Sequence, residues 1–390
     1  MKLAFVVQRY GAEIAGGSEA HCRELARRLA PAHDITILTT CARDYVTWRN
    51  VDPPGETRDA AVRVIRFPVR QPRRVKVFAD LSDEVFDGGA SRERQESWFA
   101  ENGPDVPGLL NHLRSHGAGY DLVLFWTYRY APSYFGLPLV ADRAILVPTA
   151  EDDPAIALDT LEEFFRRPAG YLFLTPEEEA LVSARAGRAL RPSAVVGIGL
   201  DAPKATAPDL VRGLGLDGNY VLYLGRVDRN KGCHTLLEYF EAYAGGGVGA
   251  TLVLAGPAKM QIPAHSRIRA LGYVSDEMRD ALLANARALI VPSPFESLSI
   301  VLLESWNRAV PALVNGRCRV LAGQVRRANG GLVYRSSEEF GESLGYLMTH
   351  PPERDALGRQ GLAYVEREYR WPTVLARVEA LLAEVRSTRP

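Results

Sequence analysis

The chain has 390 residues, 47% of them hydrophobic and 24% charged, and its 47 Lys plus Arg equal its 47 Asp plus Glu. That length exceeds what one hydrophobic core usually serves, so two domains are expected, and the ordinary composition excludes disordered, collagenous and membrane-spanning classes. A formal charge of zero lacks the basic excess with which a dedicated nucleic-acid binder neutralises phosphates, so no nucleic-acid partner is expected.

In chain order, the opening MKLAFVVQ has one lysine and an apolar run shorter than a secretory signal needs. No later run approaches the ~20 apolar residues that cross a bilayer, so a cytoplasmic setting is expected. Short apolar runs predict strands at Leu3–Val7, Ile35–Thr39, Val62–Phe67, Leu122–Trp126, Ala144–Val147 and Tyr171–Leu174. Ala20, Leu25 and Leu29 among polar residues predict a helix over Ser18–Leu29, and the polar stretch Asp80–His116 reads as a helical insertion. After GLDAPKATAPDL, residues 199–210, the pattern restarts, so that stretch reads as a linker. Further strands are predicted near Tyr220–Leu224, Thr251–Ala255, Arg269–Tyr273, Leu289–Val291, Ala312–Val314 and Leu332–Tyr334, with helices such as Leu236–Tyr243 and Ser275–Ala286 between them. Such alternation is that of parallel sheets with crossover helices. The fold class is α/β, as two Rossmann-like, doubly wound parallel-sheet domains, residues 1–200 and 201–372. Cys22, Cys41, Cys233 and Cys318 lie far apart without a C-x-x-C pair, which suggests neither a zinc site nor a disulfide framework.

Three segments carry chemistry. Behind the first strand, GAEIAGGSEA places Gly11, Gly16 and Gly17 ahead of a helix, where backbone N–H groups can approach a phosphate or simply form a tight turn. The G-x-G-x-x-G spacing is absent, which weakens a dinucleotide reading. In the second half, GRVDRNKG (225–232) puts Arg226 at the carboxyl end of a strand and Lys231 five residues on. Ligands of open α/β sheets bind at that end, and a guanidinium with an ammonium suits a diphosphate or, equally, a solvated basic turn. In PSPFESLSIVLLES (292–305), Pro292 and Pro294 stop a strand, Ser293–Ser299 read as a polar turn and Ile300–Trp306 as a helix, with Glu296 at its start and Glu304 inside it, eight residues apart. On one helix they would be ~12 Å apart on roughly one side, near the span from the ribose to the hexose of a sugar nucleotide. The basic run RFPVRQPRRVKVF (66–78) reads as a solvated loop, with an anionic acceptor or a phospholipid surface left open. The aromatic FWTYRY (125–130) lines either an acceptor pocket or the core.

The set G-R-x4-K-G, then E-x7-E after a Pro-Ser turn, with G-G-x-E at residues 16–19, resembles the retaining glycosyltransferases of family 4, which have the GT-B fold. The resemblance implies two domains facing a central cleft. The N-terminal one (1–200, with a last helix of about 373–390 packing back on it) would bind the acceptor, and the C-terminal one (201–372) the nucleotide sugar. It implies transfer of a hexose from a nucleotide-diphosphate sugar to a carbohydrate, lipid-linked or small-molecule acceptor, with retention and without a metal or other cofactor. Arg226 and Lys231 would neutralise the diphosphate, with Gly225 beside them, and Glu296 would contact the sugar. Glu304 would hold the ribose. Ser297, Leu298, Ser299, Gly16 and Gly17 would supply backbone N–H groups, and Val274 would meet the base. Relatives usually carry a histidine in the loop corresponding to VPTAEDDP; here Glu151, or Asp152 one residue on, stands in its place. The alternative is a non-catalytic subunit that binds a sugar nucleotide within a glycosylation complex. A peripheral contact with the inner membrane face stays open.

Overall fold

The computed structural model describes residues 1–14, 16–206, 209–216, 219–244 and 249–388. The chain divides into two compact units: unit 1 is Met1–Ile198 with Val374–Pro390, and unit 2 is Gly199–Thr373.

Unit 1 is built on an eight-stranded sheet. Its strands are β1 (Lys2–Val6), β2 (Asp34–Thr40), β3 (Gly55–Asp59), β4 (Val62–Phe67), β5 (Leu122–Trp126), β6 (Ala144–Val147), β7 (Gly170–Phe173) and β8 (Ser193–Val195). They lie in the order β3-β4-β2-β1-β5-β6-β7-β8, with every pairing parallel except β3–β4. The central β5, LVLFW, is buried at every position, as expected of a parallel strand covered on both faces. Its helices are α1 (Gly17–Leu29), α2 (Val75–Phe86), α3 (Arg92–Asn102), α4 (Pro107–His116), α5 (Ala131–Gly136), α6 (Thr160–Phe164) and α7 (Pro176–Ala186). The expected insertion is helical: α2, α3 and α4 bury Leu81, Val85, Trp98, Phe99, Leu109 and Leu113 in the core of this unit, where Phe99 stacks on Tyr134 at 3.8 Å.

Unit 2 has a six-stranded, wholly parallel sheet. Its strands are β9 (Tyr220–Leu224), β10 (Thr251–Ala255), β11 (Ile268–Gly272), β12 (Ala288–Val291), β13 (Ala312–Asn315) and β14 (Gly331–Tyr334). The order is β11-β10-β9-β12-β13-β14. Its helices are α8 (Asp209–Arg212), α9 (Cys233–Ala244), α10 (Asp276–Asn285), α11 (Ile300–Trp306), α12 (Arg319–Ala328), α13 (Ser337–Thr349) and α14 (Pro351–Glu368), and α15 (Trp371–Ser387) starts in this unit. Local chemistry sets their ends. The hydroxyl of Ser275 accepts the Met278 N–H at the start of α10, and Ser336 does the same for Glu339 at α13. Of the linker, residues 201–206 have no regular structure, and 207–208 lie outside the described residues.

From Val374 onward, α15 belongs to unit 1. Val374, Val378, Leu381, Leu382 and Val385 form its buried stripe at helical spacing, and Glu379 reaches His33 at 2.8 Å. Each large apolar side chain so buried contributes about 1.5–3 kcal/mol. Leu382→Ala is expected to lower the stability of unit 1 by about 2–5 kcal/mol in denaturant titration; a change under about 1 kcal/mol would contradict this packing.

Candidate functional site

Strand order in unit 2 reverses between β9 and β12, which pair through Val221–Ala288 and Leu222–Leu289. The connections leaving β9 and β12 therefore diverge and open a crevice at the carboxyl ends of the strands. Arg226, Lys231, Glu296 and Glu304 all lie on the chain that follows these two strands.

The loop after β9 is held from several sides. Gly225 donates its N–H to Ala255 at 3.0 Å, Val227 donates to Pro257 at 3.0 Å, and Lys259 donates to Val227 at 2.8 Å. The Tyr223 hydroxyl donates to the Arg226 carbonyl at 2.7 Å. One oxygen of Asp228, a residue 9% exposed, accepts from the Arg226 guanidinium. The other accepts the Lys231 N–H at 2.9 Å. Asp228 thus closes the loop as an Asx-type cap and pairs with one cation while fixing the backbone of the second.

Gly232 completes the approach. Its φ is +74°, and a Cβ there would fall 2.3 Å from the Pro292 carbonyl oxygen at the end of β12. Only glycine tolerates both conditions. The result is the contact across the crevice: Lys231 Nζ lies 2.9 Å from Glu296 Oε1, with side chains 34% and 13% exposed. Asn315, at the end of β13, steadies the Glu296 turn by donating to the Pro292 carbonyl at 3.1 Å.

Glu304 lies on α11, which spans Ile300–Trp306 as read from the sequence. Residues 296–299 before it are irregular, so the rise and rotation of eight helical residues do not apply to the interval from Glu296. Pro292 and Pro294 with the serine-rich turn delay the helix. Glu304 pairs with Arg279 of α10 at 3.7 Å. Burial raises its carboxyl above the usual range, and Arg279 pulls it back. Ser297 is half-buried, Leu298 is buried, and Ser299 is 2% exposed with its Oγ lacking a hydrogen-bond partner among the described residues. Val274, half-buried, follows β11, two strands away from β9; the Gly256 N–H to Gly272 carbonyl bond at 2.7 Å links the β10 and β11 loops.

The other candidates lie in unit 1. Gly16 and Gly17 open α1 behind β1; Ala15 of that loop lies outside the described residues. A Cβ on Gly16 would fall 2.2 Å from Glu19 Oε2. Glu19 is buried and accepts from Gln8 at 3.0 Å, Ser18 at 2.8 Å and Arg9 at 2.8 Å, so the acid of G-G-x-E organises the loop itself. Glu151 is half-buried after β6. In the same loop Asp153 pairs with Arg129 at 2.6 Å and caps the turn at Ala155, and the buried Glu178 accepts the N–H groups of Ala150 and Leu174, each at 2.6 Å. Burial pushes the Glu178 carboxyl up to about 8. The basic run is largely neutralised within unit 1: Arg66 by Asp52, Arg70 by Asp105, Arg74 by Glu101, and Arg73 by the carbonyl and side chain of Asn102. Phe125, Trp126 and Tyr128 are core residues. Among the described residues no three His, Cys, Asp or Glu side chains gather as a metal site, and no helix is long and apolar enough to cross a membrane.

Asp228 and Arg279 escaped the sequence reading. Asp228 was legible as an acid placed between the two cations of a loop that needs an internal cap. Arg279 left no signal, because its partner is distant in sequence.

Comparison with known proteins fits this geometry. Residues 218–350, which span both halves of the crevice, match the family described as Glycosyl transferases group 1. An uncharacterized glycosyltransferase of Methanocaldococcus jannaschii is 21% identical, over 96% of this chain and 96% of that one. Sucrose-phosphate synthase from Thermosynechococcus elongatus superimposes with a TM-score of 0.73 at 16% identity, over 99% of both chains. Anabaena HepE, solved in complex with UDP and glucose, gives 0.71 at 14% identity, over 98% of this chain and all of that one. The fold is GT-B.

Gly232→Ala is expected to lower the stability of unit 2 by about 1–3 kcal/mol in denaturant titration. Gly249→Ala, where an added Cβ meets nothing within 4 Å, serves as the control and is expected within about 0.5 kcal/mol of the parent. Equal effects from the two would contradict the close approach to Pro292.

Proposed function

We propose that this protein is a retaining hexosyltransferase of glycosyltransferase family 4, taking its hexose from a nucleotide-diphosphate sugar bound in the unit 2 crevice. The observation that carries the reading is the opposition of Lys231, on the loop after β9, to Glu296 after β12, with Arg226 held to Asp228 on the same loop as Lys231. Two cations at the carboxyl end of a parallel sheet meet a diphosphate, and they stabilise the charge that grows on it as the glycosidic bond breaks. The match of residues 218–350 to the group 1 family and the HepE complex with UDP and glucose support the same ligand class.

In this reading the diphosphate draws Arg226 and Lys231 away from Asp228 and Glu296. Glu296, released from Lys231, accepts hydroxyls of the donor sugar. Ser299, whose buried Oγ has no hydrogen-bond partner among the described residues, donates to a phosphate or sugar oxygen. Glu304 accepts the ribose hydroxyls, and Val274 lies against the base. The leaving phosphate assists deprotonation of a carbohydrate, lipid-linked or small-molecule acceptor attacking from the same face, which retains configuration. Arg226 and Lys231 supply the positive charge that a metal provides in other transferases, so turnover is expected to survive chelator.

A thermal-shift panel of UDP- and GDP-sugars identifies the donor, because a ligand that binds only the native state raises the melting temperature. With that donor, Lys231→Ala and Arg226→Ala are each expected to lower turnover about a hundred- to a thousand-fold with the fold retained. Unchanged turnover in both variants would overthrow the assignment. Donor binding without any release of nucleoside diphosphate would favour a non-catalytic sugar-nucleotide-binding subunit.

A further inference from the structure

Glu304 is largely enclosed, 22% exposed at its side chain, and no described residue donates a hydrogen bond to its carboxylate. Its ionic surroundings come from two places. From α10, Arg279 lies 3.7 Å from the Glu304 carboxylate and also contacts Asp280 at 3.2 Å and Asp276 at 3.6 Å. From the turn after α11, Arg308 takes the other oxygen of Asp280 at 2.9 Å. The groups form an alternating row: Glu304, Arg279, Asp280, Arg308. A separation of 3.7 Å is too long for a hydrogen bond, so Arg279 supplies charge to Glu304 without occupying the lone pairs that a ligand hydroxyl would use.

We infer that Arg279 is a positioning residue that sets a positive charge beside the Glu304 carboxylate while leaving it open to the ribose hydroxyls of the donor. This rests on the donor-site reading above, in which Glu304 holds the ribose. Enclosure by protein favours the neutral acid at Glu304, and Asp280 and Asp276 push the same way; Arg279 is the larger of the two opposing cations, with Arg308 second. The sign follows. Removing Arg279 raises the Glu304 carboxyl further, so the anion that accepts two hydroxyls is lost at a higher pH as the solution is acidified.

The test is calorimetric affinity for UDP-glucose and GDP-mannose, each of which carries a ribose, measured between about pH 5 and 9. The parent is compared with Arg279→Met, Arg279→Gln, Arg279→Lys and Glu304→Gln, with circular dichroism to verify folding. In the two neutral Arg279 variants, the acid-side loss of affinity is expected to begin about one pH unit higher, leaving binding about tenfold weaker at the acid end and equal to the parent at the alkaline end. Arg279→Lys is expected to restore the parent profile. Either neutral variant serves if the other does not fold. Profiles that superimpose on the parent, or fall by the same factor at every pH, overturn the inference. Glu304→Gln separates the two levels. If it binds both probes as the parent does, the donor-site reading itself fails. If it weakens binding and removes the pH dependence while the neutral Arg279 variants track the parent, only the role of Arg279 falls.

Discussion

The contact between Lys231 and Glu296, 2.9 Å across the crevice of unit 2, depends on a chain of geometric conditions that the sheet imposes. Parallel strands deliver their following loops to one end, and the reversal between β9 and β12 leaves two of those loops side by side without a helix between them. The two residues are distant in sequence, so only this topology brings them together. The pair is partly buried, so removing either partner leaves a charge in a poorly solvated place. Gly232 permits the contact by letting the Lys231 loop lie on the Pro292 carbonyl, and Asp228 fixes that loop from within.

Much of the scaffold was legible because parallel strands covered on both faces are nearly continuous apolar runs. β4, β5, β6, β9 and β10 fall at the positions read from their sequences. The strands that escaped are at the margin of the unit 1 sheet. β3, GETRD, is an exposed antiparallel edge with no apolar residue, and β8 has three residues. Neither carries a pattern that separates it from a loop. The first helix was read nearly to its boundary, since Gly17–Leu29 buries one face at helical spacing.

At the candidate site, spacing located the charged residues but did not give their partners. The Arg226–Lys231 interval places both on one loop, as the crevice requires. The helix Ile300–Trp306 was read at its boundaries, but the helical measure over eight residues does not hold, because half of the Glu296–Glu304 interval lies before that helix; Glu296 faces Lys231, and Glu304 faces Arg279. The conspicuous G-G-x-E acid, Glu19, is occupied with Arg9, Gln8 and Ser18 in a buried network. That network is a satisfied polar cluster of the kind that fixes a loop. Arg66, Arg70, Arg73 and Arg74 likewise meet acids and carbonyls of their own unit. Sequence shows where charge is, whereas its availability depends on partners brought near by the fold.

The pairing of Arg226 with Asp228 and Lys231 with Glu296 also bears on how a ligand arrives and departs. Each cation already has an anion beside it, so these two pairs are locally neutral. A charged ligand therefore gains little long-range attraction from them, and its capture by them rests on close-range exchange, one anion replacing another. That exchange is reversible. On the proposed reading, a spent nucleoside diphosphate faces two carboxylates waiting to reclaim their cations, so the resting ion pairs act as built-in competitors that hasten product departure and keep the crevice from clogging between turnovers.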